Sequence, residues 1–303
     1  KRVDDAFQRF FQRCKSRKSG EKPGFPRFKK FNSCKSFTFP QSGFSIQQIK
    51  NRNYARLSKI GDIKLKLHRN IDGKVKTCTL KKEPTGKYFI IFTAEVFNIP
   101  LDANLNCVGI DLNIKNYATL SNGDVIDNPK FLKKEQKELA KVQKKLSKTE
   151  KKSKEREHKK RVAARVNERI VNKRENFAHQ ESRKIVNKFH YIFFENLSID
   201  RMIENNSEKR EGSEYNKAIL DASWGKFIKY TESKAENAGR EYKKINPAYT
   251  SQDCFACGNR RDMPLDVRVY KCLDSRCGIE LERDLNAAYN ILSLGLQAIN
   301  FKL

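Results

Sequence analysis

Four cysteines near residue 260 form the most specific chemical signal in the sequence. Cys254 and Cys257 make one close pair, and Cys272 and Cys277 make a second. Two such pairs can place four thiolates at the corners of a tetrahedron, which is the arrangement that structural zinc sites use. Four sulfur ligands leave no open position for a substrate, so the pattern predicts a structural zinc ribbon. Free cysteines or two disulfides are the alternative, which a reducing cell disfavours.

Three carboxylates stand where a divalent cation could be bound. Asp111 lies within the apolar segment 108–112, Glu195 follows the apolar run 191–194, and Asp284 precedes a helix-forming segment. An acid among apolar neighbours is costly to bury unless it binds a cation or a hydrogen-bond donor. Each residue also has an ordinary explanation. Asp284 could cap its helix, Glu195 could be solvated at the end of a strand, and Asp111 could accept a bond from a backbone amide.

The elements around these acids have the pattern of a ribonuclease-H-like core. Strand-like runs at 107–112, 117–120 and 125–126 are separated by turns, and Asn-Gly at 122–123 is a strong hairpin signal. A later continuous apolar run is typical of a buried parallel strand. In such a core the three acids would converge at one edge of the sheet, where their mutual repulsion requires divalent cations.

The ligand type indicates which metal these acids would bind and what reaction it would serve. Oxygen ligands favour Mg²⁺ or Mn²⁺ over zinc. Such a site would hydrolyse phosphodiester bonds by a two-metal mechanism, in which one ion activates a water and the other stabilises the leaving oxygen. The four histidines, at positions 68, 158, 179 and 190, show no pairing with a nucleophile. Serine or cysteine catalysis therefore has no support.

The composition favours nucleic acid as the partner. The 303 residues include 64 Lys and Arg against 36 Asp and Glu, a formal net charge of +28. An excess of this size favours contacts with phosphate backbones. With 38% hydrophobic residues the chain can bury a substantial core, which excludes a wholly disordered protein. We find no apolar run long enough for a membrane span and no signal segment, and the isolated cysteines favour a reducing, cytoplasmic setting.

The hydrophobic patterns divide the chain into segments of different structure. Phenylalanines at helical spacing predict a helix at the N-terminus, which ends in the turn-rich stretch 20–26. Period-two alternation over 37–96 predicts the short strands of a small antiparallel barrel. Over about 131–177 the pattern predicts two basic helices joined by a charged tip at 147–161.

The segment that follows the apolar run is interpreted in three parts. The polar stretch from about 198 to 215 predicts a loop or linker. The helical spacing of Leu220, Trp224, Phe227 and Thr231 predicts one helix, ended by the glycine at 239. The run 242–245 predicts a further strand, closed by a proline.

Seven short motifs extend over most of the sequence in a specific order. They are Gly-Phe-Pro-Arg-Phe-Lys at 24–29, Gly-Ile-Asp-Leu-Asn at 109–113, Arg-Ile-Val-Asn-Lys-Arg at 169–174, Phe-Glu-Asn-Leu at 194–197, Trp-Gly-Lys-Phe at 224–227, Thr-Ser at 250–251 and Arg-Asp-Leu-Asn-Ala-Ala at 283–288. Together they resemble TnpB, a family of transposon-associated RNA-guided DNA endonucleases related to type V CRISPR effectors. The ordered set carries the resemblance, since no single motif decides it.

The resemblance implies a fold of the class α/β plus all-β. Its nuclease core is RuvC-like, that is ribonuclease-H-like, with a helical hairpin insertion and a zinc ribbon, and a small wedge-type β-barrel precedes it. The implied domains are the end of a helical recognition region and linker at 1–31, the wedge-like barrel at 32–104, the first part of the nuclease at 105–248 with its helical insertion at about 129–178, the zinc ribbon insertion at 249–280 and the last nuclease helix at 281–303.

The resemblance also implies an activity and its partners. Asp111, Glu195 and Asp284 match the family's catalytic, magnesium-binding acids. The implied partners are a guide RNA and a double-stranded DNA target with a flanking motif, in a prokaryotic cytoplasm near the nucleoid and without a membrane. Family members usually carry more sequence ahead of the position of Val3, and the chain lacks an initiating Met, so we expect it to be a piece of a longer protein.

Two other functions are compatible with the sequence. A catalytically silent RNA-guided DNA-binding protein would tolerate the loss of at least one acid. An unguided nuclease of the resolvase or transposase type would cut DNA without RNA. The presence of all three acids favours the RNA-guided nuclease.

Overall fold

The structure is a computed structural model that describes residues 2–16, 22–29, 33–207, 212–264 and 267–300. The chain divides into two compact units, Lys1–Val96 and Phe97–Leu303. None of the helices in the described ranges combines the length and the apolar content needed to cross a lipid bilayer.

The first unit begins with a helix, as the phenylalanine spacing predicts. Helix α1 covers Arg2–Lys15. Phe7 and Phe10 of α1 both contact the ring of Phe25, at centroid distances of 5.5 and 5.2 Å. Residues 20–21 of the predicted turn lie outside the described residues.

Six strands follow in the first unit and pair as two antiparallel sheets. They are β1 (Ser36–Phe39), β2 (Phe44–Ile49), β3 (Arg52–Leu57), β4 (Gly61–Leu65), β5 (Lys74–Lys82) and β6 (Tyr88–Glu95). One sheet has the order β1-β5-β6 and the other the order β2-β3-β4. The buried side chains of Ala55, Leu57 and Cys78 form a core between them. Period-two alternation thus predicts the strands correctly, whereas their closure into a wedge-type barrel stays a prediction.

The second unit alternates strands and helices around a central sheet. Its elements are β7 (Cys107–Leu112), β8 (Asn116–Leu120), β9 (Val125–Asp127), α2 (Phe131–Ser147), α3 (Lys154–Lys188), β10 (Tyr191–Glu195), α4 (Ile199–Ser207), α5 (Gly212–Ala222), α6 (Trp224–Asn237), β11 (Glu241–Ile245), β12 (Val269–Lys271), β13 (Glu280–Glu282) and α7 (Arg283–Ala298). The central sheet has the order β11-β10-β7-β8-β9. Strands β7, β8 and β9 form the predicted antiparallel meander, and β10 pairs in parallel with β7 and β11.

Apolar side chains cover both faces of strand β10. On one face Phe194 packs with Trp224 and Phe227 of α6. On the other face Phe193 packs with Ile291 of α7. Because successive side chains of a strand point to opposite faces, a strand buried on both sides needs apolar residues throughout. This explains why β10 shows a continuous apolar run in the sequence.

Helices α2 and α3 form the predicted hairpin, but its charged tip is shorter than predicted. The turn covers 148–153 rather than 147–161. The Ser153 side chain caps α3 by accepting a hydrogen bond from the Arg156 amide. The Arg156 guanidinium donates to the carbonyl oxygen of Leu146 at the end of α2, at 3.0 Å. These contacts extend α3 into a segment whose charge alone predicts no helix.

The predicted loop at 198–215 is wrong, because this segment contains α4 and the beginning of α5. Ile199, Met202 and Ile203 lie at helical spacing and pack against the main apolar core of the second unit. Three apolar residues at this spacing suffice to hold a helix whose other residues are polar. Residues 208–211 of the predicted loop lie outside the described residues.

The predicted single helix at 220–231 is also wrong, because it consists of two helices. Ser223 has a left-handed backbone with φ of 54° and separates α5 from α6. Leu220 is 55% exposed whereas Trp224 is buried, so these two residues do not share a buried face. The apolar spacing across Ser223 is therefore a coincidence of two neighbouring helices.

Candidate functional site

Three elements of the second unit bring the predicted acids to one cavity. Asp111 lies near the carboxyl end of β7, Glu195 is the last residue of β10, and Asp284 lies in the first turn of α7. Because β7 and β10 are parallel neighbours, their carboxyl ends meet at the same edge of the sheet. All three side chains line a cavity of about 330 Å³.

The close approach of α7 to β7 depends on a glycine. A Cβ atom at Gly109 would lie 2.2 Å from the carbonyl oxygen of Ala288 and 2.5 Å from the amide nitrogen of Leu292, so no side chain fits there. Asp111 is two residues further along β7 and therefore projects from the same face of the sheet. Because α7 packs tightly on this face, Asp284 lies close enough to Asp111 for its charge to raise the pKa of Asp111.

Asp111 is buried among like charges. Burial raises the pKa of Asp111 well above its ordinary value, and the charges of Glu195 and Asp284 raise it further. The Asn113 side-chain amide donates to Asp111 Oδ2 at 3.4 Å, and this bond and the charge of Arg283 lower the pKa. The hydrogen-bond donor to Asp111 is thus the side-chain amide of Asn113. The alternative drawn from the sequence was a bond from a backbone amide. A bound cation would relieve the repulsion.

Glu195 is held in one orientation by a threonine. Its side chain is buried, and the Thr250 hydroxyl donates to Glu195 Oε1 at 2.6 Å. Burial raises the pKa of Glu195, whereas the bond from Thr250 lowers it. The ordinary explanation of Glu195 as a solvated strand end is therefore wrong.

Asp284 is not a helix cap. The N-cap of α7 is Glu282, whose side chain makes no capping bond. Burial raises the pKa of Asp284, while the positive charges of Arg268, Arg283 and Lys115 lower it. These three basic side chains line the same cavity as the acids. The cavity therefore combines carboxylates that suit a metal cation with cations that suit phosphate groups.

The carboxylate oxygens are not drawn into one tight cluster. Within the described ranges, the four cysteines are the one group of metal-ligating side chains whose ligand atoms all lie within 4.8 Å of one another. No histidine of the described residues lines the acidic cavity. Carboxylate oxygens are the protein ligands that Mg²⁺ and Mn²⁺ prefer, so the donor set fits these ions rather than zinc.

The four cysteines converge as the sequence predicts. Cys254 Sγ lies 3.8 Å from Cys277 Sγ, and Cys257 Sγ lies 3.5 Å from Cys272 Sγ. A tetrahedral zinc with bonds of about 2.3 Å holds its sulfur ligands about 3.8 Å apart. The short strands β12 and β13 pair antiparallel beside this cluster. The cluster could therefore bind a metal such as zinc.

Two asparagines bond the cysteine-bearing turn to α7. The Asn286 amide donates to the Asp253 carbonyl at 2.8 Å and accepts from the Phe255 amide at 3.1 Å. The Asn290 amide donates to the carbonyls of Thr250 and Asp253, at 2.8 and 2.7 Å. The turn that fixes the second acid and the helix that carries the third are thus joined directly.

Sequence reasoning did not single out these asparagines. Asn286 and Asn290 stand four residues apart and therefore on one face of α7. Asn286 is fully buried, and a buried amide needs hydrogen-bond partners. Two side-chain amides at this spacing on the inner face of a helix are the feature of the sequence that could have indicated this contact. Thr250 stands out in the sequence only as part of the Thr-Ser motif at 250–251.

Comparison with known proteins agrees with these features. A family model described as "Probable transposase" matches residues 92–206, and one described as "Cas12f1-like, TNB domain" matches residues 224–291. A putative RNA-guided DNA endonuclease of Streptomyces pristinaespiralis is 31% identical over 224 residues, which cover 73% of this chain and 53% of that protein. The chain resembles the TnpB family. This confirms the resemblance that the motifs predict.

A second relative of this TnpB-like chain is similar over nearly all of it. The putative RNA-guided DNA endonuclease InsQ of Escherichia coli K12 is 29% identical over 97% of this chain and 72% of its own length. The cryo-EM structure of a Cas12f1–sgRNA–target DNA complex matches with a TM-score of 0.60 at 16% identity, covering 92% of this chain and 67% of that one. This likeness supports a mixed α/β fold. The TnpB-like chain spans about half the length of the Streptomyces relative.

Proposed function

We propose that this protein is an RNA-guided DNA endonuclease, encoded by a transposable element, that hydrolyses phosphodiester bonds in target DNA. One observation carries the proposal: Asp111, Glu195 and Asp284 line one cavity, in a chain whose relatives are named RNA-guided DNA endonucleases. In this proposal the three acids are the catalytic residues. They belong to a RuvC-like core that comprises residues 105–248 and 281–303.

The donor set of the cavity supports a two-metal mechanism. Three carboxylates with raised pKa values offer oxygen ligands and repel one another, and divalent cations would relieve this repulsion. When bound there, Mg²⁺ or Mn²⁺ would supply a lower pKa for the attacking water and stabilisation of the leaving oxygen. Asp111, Glu195 and Asp284 would hold these ions.

The remaining residues of the cavity orient the acids and the substrate. The Thr250 hydroxyl fixes Glu195, and the Asn113 amide fixes Asp111. Lys115, Arg268 and Arg283 line the cavity, where they can bind the phosphates that flank the bond to be cut. Phosphate contacts of this kind position the strand but carry no sequence information, which suits an enzyme that leaves sequence reading to RNA.

The four cysteines are proposed to hold a structural Zn²⁺ in a ribbon at 249–280. Four sulfur ligands close the coordination sphere, so this metal would take no part in the reaction. Its effect on catalysis would be indirect, because Asn286 and Asn290 bond the ribbon turn to the helix that carries Asp284.

The proposed partners are a guide RNA and a double-stranded DNA target with a flanking motif, in a prokaryotic cytoplasm near the nucleoid. The net charge of +28 supports this, because an RNA–DNA heteroduplex is bound through its phosphate backbones. In the proposed domain scheme the wedge-like barrel covers 32–104, and the nuclease has its helical insertion at about 129–178.

The guidance can be tested through the nucleic acid that co-purifies with the protein. RNA sequencing of the purified complex should recover one abundant noncoding RNA. A plasmid library that carries the matching sequence beside randomised flanks should then be cut in the presence of Mg²⁺ and left intact in EDTA. A random mixture of RNA, or equal cutting of unmatched plasmids without RNA, would instead support the unguided nuclease.

The acids can be tested with a matched pair of variants. Asp111→Ala should reduce cutting by more than about a hundredfold while DNA binding persists, because the cavity loses a metal ligand. Asp127→Ala changes an exposed aspartate on strand β9 of the same sheet and should cut normally. Full cutting by Asp111→Ala would refute the site. Binding without cutting by the unmodified complex would support the silent DNA-binding protein.

A further inference from the structure

An arginine and a tyrosine form a partly exposed stack near the acidic cavity. The guanidinium carbon of Arg260 lies 3.5 Å from the ring centroid of Tyr249. Tyr249 is 50% exposed, as is the side chain of Arg260. Neither residue belongs to the acids or to the cysteine cluster. The stack is thus a flat surface that remains open to solvent.

The stack is held in place before any ligand binds. The Asp253 carboxylate accepts two bonds from the Arg260 guanidinium, Nε to Oδ1 and Nη2 to Oδ2. The Tyr249 carbonyl accepts bonds from the amides of Gln252 and Asp253, at 2.8 and 2.9 Å. The Asp253 carbonyl is itself bonded by α7 through Asn290. A surface fixed in this way loses little conformational freedom when a ligand binds.

The backbone of Tyr249 is strained. Its φ of 65° lies in the left-handed region, which glycine adopts readily and a bulky side chain does not. Such strain persists only where the surrounding bonds enforce it, and it concentrates at functional sites. A glycine here would relieve the strain but would provide no ring.

Tyr249 lies next in sequence to the wall of the acidic cavity. Thr250, the residue after Tyr249, bonds Glu195, and Pro247, Thr250 and Ser251 line the cavity. Consecutive Cα atoms are about 3.8 Å apart, so the ring is attached directly beside the wall that holds the second acid. A single strand with one phosphate at the acids would carry its neighbouring bases past this ring.

We propose that Tyr249 and Arg260 form a platform on which an unpaired base of the DNA strand stacks, one or two nucleotides from the phosphate to be cut. This inference rests on the proposed function. Aromatic rings bind any base by its flat face, and the guanidinium of Arg260 covers the other face of the Tyr249 ring and fixes its orientation. Both faces of a base in a duplex are covered by its neighbours, so the platform selects a strand that is already unpaired.

Fluorescence of a base analogue tests the stacking without any need for cutting. The probe is a single-stranded oligothymidylate with one 2-aminopurine, whose emission falls when the base stacks on an aromatic ring. The RNA-loaded complex of the Asp111→Asn variant should quench the probe. Adding Tyr249→Ala should remove the quenching and weaken binding about tenfold, whereas Tyr249→Phe should retain both.

A matched control separates the platform from any exposed tyrosine. Tyr88 is 63% exposed and also has a lysine near its ring, and Tyr88→Ala should leave quenching and affinity unchanged. A variant Tyr249→Ala that unfolds at a lower temperature yet quenches and binds the probe normally would overturn the proposal in favour of a structural stack.

Abasic substrates then locate the stacked base in the reaction. Each nucleotide of the cut strand is replaced in turn by an abasic residue, and cutting by the RNA-loaded protein is measured. Removal of the base at one position near the cut should slow cutting about tenfold by the protein that retains Tyr249. The same removal should cause no further slowing in the Tyr249→Ala variant. Additive losses at every position would refute the platform. A complete absence of cutting in the unmodified complex would refute the proposed function instead, and the fluorescence result would still decide the stacking.

Discussion

The cysteine cluster and the acid cluster are assembled in opposite ways. The four thiols come from one short segment, 254–277, and their sulfurs all lie within 4.8 Å of one another. The three carboxylates come from two strands and a helix that are far apart in sequence, and they share a cavity without such close contact. Thiols can be neutral and can touch, whereas carboxylates repel one another. Local spacing can thus specify the first site, while the second exists only through the fold.

The largest effect should come from removing one cysteine ligand. Structural zinc contributes about 10–16 kcal/mol in zinc-finger peptides, so Cys272→Ser should unfold the ribbon and release the metal. Cutting should be lost too, because Asn286 and Asn290 bond the ribbon turn to α7. Zinc content, melting temperature and cutting are the measurements. The exposed Cys34 provides the control Cys34→Ser, which should change none of them. Loss of zinc with full cutting would show that the two sites are independent.

A smaller but still severe effect should follow from a methyl group at Gly109. Gly109→Ala places a carbon within 2.5 Å of the α7 backbone, so the helix must move away from β7. We expect a loss of about 1–3 kcal/mol in the free energy of unfolding, measured by urea denaturation, and a loss of cutting. Gly225→Ala on α6 is the control, because its new carbon would meet only an ordinary contact at 3.6 Å. Equal stability of the two variants would contradict the tight packing.

The bond to Glu195 should matter for activity more than for folding. Thr250→Val keeps the shape of the side chain but removes the hydroxyl that donates to Glu195. We expect cutting to fall about 10- to 100-fold and to need more Mg²⁺, since an orienting partner of a proposed metal ligand is lost. Thr250→Ser retains the hydroxyl and should cut at nearly the normal rate. A Mg²⁺ titration of both variants decides the point, and an unchanged Mg²⁺ requirement in Thr250→Val would argue against this role.

The smallest effect should be a higher melting temperature of the metal-free protein when Asp111 is replaced by asparagine. Burial and the charges of Glu195 and Asp284 raise the pKa of Asp111 in the folded protein. A raised carboxyl pKa favours the folded state at low pH, and this advantage is lost as pH rises above the ordinary value of about 4 through the folded value. Asp111→Asn should therefore raise the melting temperature of the metal-free protein by about 2 °C or more at pH 7.

The same variant provides its own control through pH and metal. The stabilisation by Asp111→Asn should shrink as pH falls through about 4, below which Asp111 is protonated in both the folded and the unfolded protein. It should also shrink in excess Mg²⁺, because the ion stabilises only the protein that retains the acid. A destabilised Asp111→Asn in EDTA at pH 7 would contradict the repulsion inferred for the acids.

The sequence predicts those parts of the molecule that depend on local spacing. The cysteine pairs, the meander with its Asn-Gly turn and the continuous apolar run of β10 are all visible in short windows. The segment 198–215 is not, because α4 is stabilised by Ile199 and Met202 against a distant core while its composition is polar. The break at Ser223 is hidden for a similar reason, since the apolar spacing continues across it.

The sequence predicts the three acids as one site only through the core pattern and the family resemblance. Each alone has an ordinary explanation, and the structural facts that remove those explanations are tertiary. The bond from Thr250 to Glu195 and the position of Glu282 as the cap of α7 cannot be inferred from spacing. The roles of Asp111, Glu195 and Asp284 as metal ligands stay a prediction.

The order of the acids along the chain has a consequence for biosynthesis. Ribosomes add about 5–20 residues per second, so a nascent chain exposes Asp111 and Glu195 on the order of ten seconds before Asp284. During this interval α7, the helix that packs closely against Gly109, has not yet been synthesised, and the pocket is incomplete. A polypeptide whose translation stops before α7 therefore lacks Asp284 and carries an incomplete pocket.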